Sequence, residues 1–166
     1  MPYTRVVLRP AQAIALGAVT VGLLDAAFAT GRSALRGIPF SRVWQGVSAG
    51  LLGARAFDGG ALTTGLGLAL HFFIATSVVL VYYGASRRLP YLAEKPLLWG
   101  PLYGLAVFAT MNFLVIPLSA LSLPHRSFMQ LLPGIVIHIL GVGLPAAMVV
   151  AAVPRVDHPT PAGGVR

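Results

Sequence analysis

Four residues of this chain place polar or ionisable side chains inside long apolar stretches, and any chemistry the protein performs starts with them. They are Asp25, His71, Asn112 and His138. A carboxylate can hold a proton or a cation, an imidazole can relay a proton or ligate iron, and a carboxamide can hydrogen-bond between helices. The placement itself is informative, because a charged side chain at the centre of a bilayer costs roughly 2.5–3.5 kcal/mol on insertion scales and tends to mark function or a specific partner.

The apolar stretches define the elements that must position these groups. A bilayer-spanning helix needs about 20 mostly apolar residues, and four segments meet that length: residues 11–30, 61–83, 97–122 and 128–153. Of the 166 residues, 57% are hydrophobic and 10% charged, against about 45–50% and 25% in soluble domains. The expected fold class is therefore an all-α membrane protein, a single bundle of four transmembrane helices, followed by a flexible tail over 154–166. Arg5, Arg9, the apolar run from Ala11 and Ala27-Phe28-Ala29 also resemble a secretory signal. Asp25, at the point where such a run should end, favours a retained helix.

The connection between the first two spans is too long for a plain turn. Within it Phe40, Val43, Trp44, Val47, Leu51 and Ala54 recur at three- and four-residue steps. This predicts an interfacial amphipathic helix over 40–57, capped by Ser41, with Arg42, Gln45 and Arg55 on other faces. Gly46 and Gly50 form a small-xxx-small pair suited to internal packing, as do Ala61, Gly65 and Ala69.

Twelve Lys and Arg against four Asp and Glu leave a net charge of +8. The basic residues lie singly or in pairs between apolar runs, which suits an anionic membrane face and not nucleic acid. Four spans put both termini on one side with Arg5, Arg9, Arg87, Arg88, Lys95, Arg155 and Arg166, and leave Arg32, Arg36, Arg42, Arg55 and Arg126 on the other. Seven against five favours cytoplasmic termini.

Nucleotide-binding, metalloprotease and nucleophile-elbow motifs are absent, and no two carboxylates lie close enough in sequence for acid/base work. The absence of cysteine removes disulfides, thiolate metal sites and a thiol nucleophile. What is left is a role for each polar residue within the bundle. Asp25, about 7–8 Å from the expected end of its helix, reads as one half of an ion pair with Arg32, Arg36 or Arg126. Asn112 reads as an interhelical hydrogen-bonding group, with Pro117 five residues on kinking its helix and freeing a carbonyl. His71 and His138 each lie ten residues into parallel helices, so both should sit near the midplane facing the interior. Gly67 and Gly134, four residues earlier, leave a hollow beside each ring that admits a helix or the flat face of a cofactor. Packing locks are the expected role, with Asn112, Thr110 or a freed carbonyl as partners.

His71, Tyr82, Pro90, the Gly100-x-x-x-Gly104 pair, Pro117-Leu118 and His138 resemble the pattern of the YagU-like bacterial inner-membrane proteins over residues 61–145. The connection before Gly100 is longer here, and a polar loop expected before the fourth helix is absent. The resemblance implies a small polytopic protein of the bacterial inner membrane and supplies no substrate or catalytic residue. The sequence thus favours a non-catalytic accessory subunit acting through helix packing and lipid contacts, within a larger complex or a homo-oligomer. Two alternatives use the polar residues directly. In one, His71 and His138 are axial ligands of a b-type haem; in the other, Asp25, Asn112 and the histidines form a conducting path for protons or a small solute.

Overall fold

A computed structural model describes residues 8–121 and 127–154. Among these, the elements are all helical: α1 (Pro10–Ala34), α2 (Phe40–Leu52), a 3-10 turn (Gly53–Asp58), α3 (Gly60–Arg88), α4 (Tyr91–Glu94), α5 (Pro96–Thr110), α6 (Ile116–Leu118), α7 (Phe128–Ile137) and α8 (Leu144–Ala151). A π-helical turn, Met111–Val115, joins α5 to α6, and another, His138–Gly143, joins α7 to α8. Four helical runs are long and apolar enough to cross a membrane: Pro10–Ala34, Gly60–Arg88, Pro96–Leu118 and Phe128–Ala151. Large apolar side chains such as Leu23, Phe73, Val81, Phe113 and Leu140 stand on their outer surfaces more than half exposed. A water-soluble bundle would bury such side chains; a bilayer solvates them. The chain is an all-α membrane protein of four spans.

The first two spans run past their expected ends, to Ala34 and Arg88. Gly31 continues the first helix, while Arg87 and Arg88 occupy the last turn of α3, where cations complement the helix dipole. Pro90 then disfavours a helical Leu89 and stops the run. The third span ends at Leu118, where Ser119 turns extended. The expected turn Leu123-Pro124-His125-Arg126, the end of the third span at residue 122 and the tail beyond Pro154 lie outside the described residues.

Both π turns precede a proline, Pro117 and Pro145. A proline inside a helix removes one N–H and its ring crowds the carbonyl four residues back, and a local widening of the helix relieves both. These wider turns begin beside Asn112 and at His138.

Helix α2 starts at Phe40 without the Ser41 cap. Its buried face is Trp44, Gln45, Ser48 and Ala49, whereas Phe40 and Leu51 of the expected stripe are exposed. Polar residues decide that rotation. Ser48 Oγ donates to the Thr63 carbonyl and Gln45 Nε2 to the Gly60 carbonyl, so α2 is keyed onto the first turn of α3. The crossing point is Gly67, where any Cβ would run into the Trp44 carbonyl. The small-residue pairs of the sequence make no comparable contact: a Cβ at Gly46 or Gly65 meets nothing within 4 Å, and one at Gly50 only the Ser119 Cβ at 3.8 Å.

The two ends of the bundle are defined by contacts. Leu8 N–H donates to the Ala152 carbonyl and Arg87 to that of Pro154, which gathers the start of α1, the end of α3 and the end of α8. At the opposite end, Ala120 N–H donates to the Gly50 carbonyl, tying the third span to α2. Near the first end, Val79, Tyr82, Ala146, Ala147 and Val150 form a sealed core with Val21 and Val142. Tyr82 Oη donates to the Leu92 carbonyl at 2.8 Å and Tyr103 Oη to that of Val78 at 2.7 Å, their rings 4.9 Å apart. Replacing Tyr103 by Phe should cost about 1 kcal/mol, the worth of one interhelical hydrogen bond. Thermal unfolding in detergent checks this, with Tyr83→Phe, whose hydroxyl bonds to no described residue, as the control.

Candidate functional site

One cavity gathers the four intramembrane residues that the sequence singles out, Asp25, His71, Asn112 and His138. It has a volume of about 380 Å³, is half-open, and takes lining residues from every span. The antiparallel run of the helices orders its wall in layers. Arg32, Ser33 and Arg36 at the end of α1 and Gln130 at the start of α7 line its end on the side where α2 lies. Below them sit Asp25, His71, Asn112 and His138. Val21, Val78, Val107 and Val142, one from each span, form the floor. Beyond these valines the buried Tyr82 and Val150 core fills the bundle.

Asp25 is deeper than the sequence implied. The helix continues to Ala34, so Asp25 stands nine residues before its end, about 13 Å along the axis. Its partner is His71, with Nδ1 3.9 Å from Oδ2 and side chains 13% and 25% exposed for His71 and Asp25 respectively. Arg32, which has an interaction of its own, and Arg36 line the same cavity nearer the end of α1, and Arg126 is outside the described residues.

The His71 ring is fixed from three sides. Nε2 is 2.9 Å from the Gly22 carbonyl, and Trp44 and Phe72 meet the ring edge-on with centroids 5.1 and 5.4 Å away. A carbonyl only accepts, so the proton of this contact resides on Nε2. Nδ1 faces the Asp25 Oδ2 at 3.9 Å, too far for a hydrogen bond.

His138 and Asn112 use a different device. His138 Nδ1 donates to the Gly134 carbonyl at 2.9 Å and Asn112 Nδ2 to the Phe108 carbonyl at 3.0 Å, each four residues back on its own helix. Neither makes the interhelical bond expected from sequence, because a short polar side chain beside a wide π turn finds its nearest acceptor in the preceding turn. With Nδ1 protonated, neutral His138 keeps Nε2 as an acceptor. The hollows beside the histidines are filled with protein: Gly67 faces the Trp44 backbone, and a Cβ at Gly134 would meet Phe108 Cε2 at 3.0 Å. The Phe108 ring instead stands edge-on to His138, centroids 5.4 Å apart. A porphyrin face has no slot at either glycine. Among the described residues no three His, Asp or Glu side chains group as metal ligands.

Sequence reasoning did not single out Ser33, Gln130 or the valine floor. Their signal is positional: each becomes visible only when the order and direction of the four spans are set against one another. The site and the fold together define a multi-pass helical membrane protein with a largely apolar cavity that four polar residues of the spans enter. No family model, no curated protein and no solved structure matches the chain.

Proposed function

We propose that this protein binds a small molecule within the membrane, admitting it from the face opposite the chain termini into the half-open cavity. One observation carries the reading: Asp25, His71, Asn112 and His138, polar groups costly to hold in an apolar bundle, converge from four spans on a single space of about 380 Å³. Binding sites for drug-sized molecules commonly occupy about 300–1,000 Å³. An accessory subunit acting only through its outer surface has no use for such convergence. A conducting path would need further ionisable groups in series, and the residues lining this cavity past Asp25 and the histidines include Val21, Val78, Val107 and Val142.

The seven-to-five charge distribution supports cytoplasmic termini, which turns the opposite face outward. The resemblance to YagU-like proteins supports a bacterial inner membrane. The exposed apolar residues of α2, Phe40, Leu51 and Leu52, support contact of that helix with the membrane interface.

Water access to the cavity tests the reading. In this cysteine-free chain, Ala29→Cys on the cavity wall should react with a small membrane-impermeant thiol reagent from one side of sealed vesicles. Val79→Cys, at a fully buried position, should not. A folded Ala29→Cys protein that resists the reagent from both sides overturns the proposal.

A further inference from the structure

The hydrogen bonds of the four intramembrane polar residues spend donors and leave acceptors. His71 gives its Nε2–H to the Gly22 carbonyl, His138 its Nδ1–H to that of Gly134, and Asn112 an N–H to that of Phe108. What remains to these lining side chains is the carboxylate of Asp25, the lone pairs of His71 Nδ1 and His138 Nε2, and Asn112 Oδ1. Against these acceptors the same side chains hold one spare donor, the second N–H of Asn112. Among the described residues the Asp25 carboxylate accepts no hydrogen bond, and His71 Nδ1 stands 3.9 Å from it. A carboxylate kept in an apolar bundle without a donor is costly. The cations at the end of α1 do not answer it. Arg32 is seven residues away, about 10 Å along the helix, and has an interaction of its own. Arg36 is exposed, where solvent screens its charge. A molecule that displaces water from these acceptors therefore has to bring donors of its own.

We propose that the cavity takes an organic amine in its protonated form: a primary or secondary ammonium group held between Asp25 and His71, with an apolar body against Phe28, Ile74, Phe108 and Met111 of the wall. This rests on the reading that the cavity is open to a ligand. One nitrogen can lie about 2.9 Å from both Asp25 Oδ2 and His71 Nδ1, because these atoms are only 3.9 Å apart. It donates one N–H to each, and the bond to the carboxylate is charge-assisted. A quaternary ammonium has the charge without the N–H, and an alcohol has the donor without the charge, so each matches half of the site. An anion meets a like charge and lone pairs. A metal ion finds too few ligands, since among the described residues no three His, Asp or Glu side chains group together. His138 Nε2 and Asn112 Oδ1, supplied by the other two spans, are left to accept a second donor on the body of the ligand. The same chemistry can arrive from the bilayer, as a long-chain amine, or from water, as a compact aromatic or branched one.

The test uses the full chain carrying Ala29→Cys, one helical turn from Asp25 on the same face, in phosphatidylcholine nanodiscs, with the rate of thiol labelling as readout. Dodecylamine represents the bilayer-borne source and benzylamine the aqueous one; dodecyltrimethylammonium, benzyltrimethylammonium, benzyl alcohol and benzoate are the controls. Slowing by dodecylamine alone assigns an amine drawn from the bilayer, and slowing by benzylamine, with or without dodecylamine, an amine taken from water. In either case the trimethylammonium and alcohol counterparts should need at least about tenfold higher concentration for half protection, and benzoate should give none. Asp25→Asn should raise the half-protecting concentration of the amine by at least about tenfold, as expected for loss of one charge-assisted hydrogen bond. The ranking of probes is measured in the parent chain, so it stands whether or not Asp25→Asn folds. Equal protection by the amine and its trimethylammonium or alcohol counterpart, protection by benzoate, no protection by any probe, or a folded Asp25→Asn protein protected as well as its parent overturns the amine assignment. Because Ala29→Cys labels without ligand in each of these cases, the failure is distinct from that of an inaccessible cavity.

Discussion

Replacing Gly104 with valine is expected to prevent the bundle from folding. A Cβ at Gly104 would overlap the His138 carbonyl and lie 2.9 Å from the Ile139 Cα, so the obstacle is backbone and cannot rotate away. Around it the two spans interlock. A Cβ at Gly100 would come within 2.9 Å of the Leu144 Cα and 3.0 Å of the Ala147 Cβ, and one at Gly143 would overlap the Gly100 carbonyl and the Gly104 amide. Separating these helices forfeits the dispersion contacts that stand in for hydrophobic driving force inside a bilayer. A loss above about 4 kcal/mol follows, in the range reserved for disrupted cores. The opposite result is expected at Gly84, where a Cβ meets nothing within 4 Å inside α3. Gly84→Ala should stabilise by about 0.5–1 kcal/mol through helix propensity. Detergent-resistant folding followed by circular dichroism separates the two. A Gly104→Val protein that melts with the wild type would mean that α5 and the fourth span do not meet here.

The glycines show which part of the fold was legible in the sequence and which was not. Spans could be read because their signal is one-dimensional: length and apolarity suffice to place four helices to within a few residues. Close approach is a property of pairs. Ala61, Gly65 and Ala69 have the spacing of a contact face yet are exposed, whereas Gly67, two residues from Gly65, carries the α2 crossing. The α3 sequence marks Gly67 only as the glycine four residues before His71, open to a helix or a cofactor; that α2 crosses there is decided by Ser48 and Gln45 on another helix, whose hydrogen bonds dictate how α2 sits. The site divides in the same way. Asp25, His71, Asn112 and His138 stood out because polar residues in apolar runs are conspicuous. Their partners did not, since a backbone carbonyl such as that of Gly22 or Gly134 leaves no trace in residue identity. The prolines were visible, but Pro117 predicted a kink and a freed carbonyl for Asn112. In the structure it is preceded by a π turn, within which Asn112 bonds back to Phe108.

The Asp25 and His71 pair should show strong energetic coupling, larger than either residue's surroundings alone would produce. His71→Gln removes the ring that Gly22, Trp44 and Phe72 hold and leaves the Asp25 carboxyl without its partner. Removing one member of a fully buried pair costs about 3–5 kcal/mol. Because the Asp25 side chain is 25% exposed toward the cavity, solvent screening lowers the expectation to about 1–3 kcal/mol. Asp25→Asn on its own removes the charge and keeps the shape, so a smaller loss is expected, about 1 kcal/mol. In the double variant the uncompensated carboxyl no longer exists. The combined loss should then fall short of the sum of the two single losses by at least about 0.5–1 kcal/mol, as expected for groups in direct contact. A cycle of four thermal or denaturant unfolding curves in one detergent measures the shortfall. Strict additivity would show that His71 serves α1 through the Gly22 carbonyl alone and that Asp25 belongs instead with the arginines at the end of α1. Coupling at the expected size makes the Asp25 and His71 contact a structural tie between the first two spans, on the wall of the cavity that both residues line.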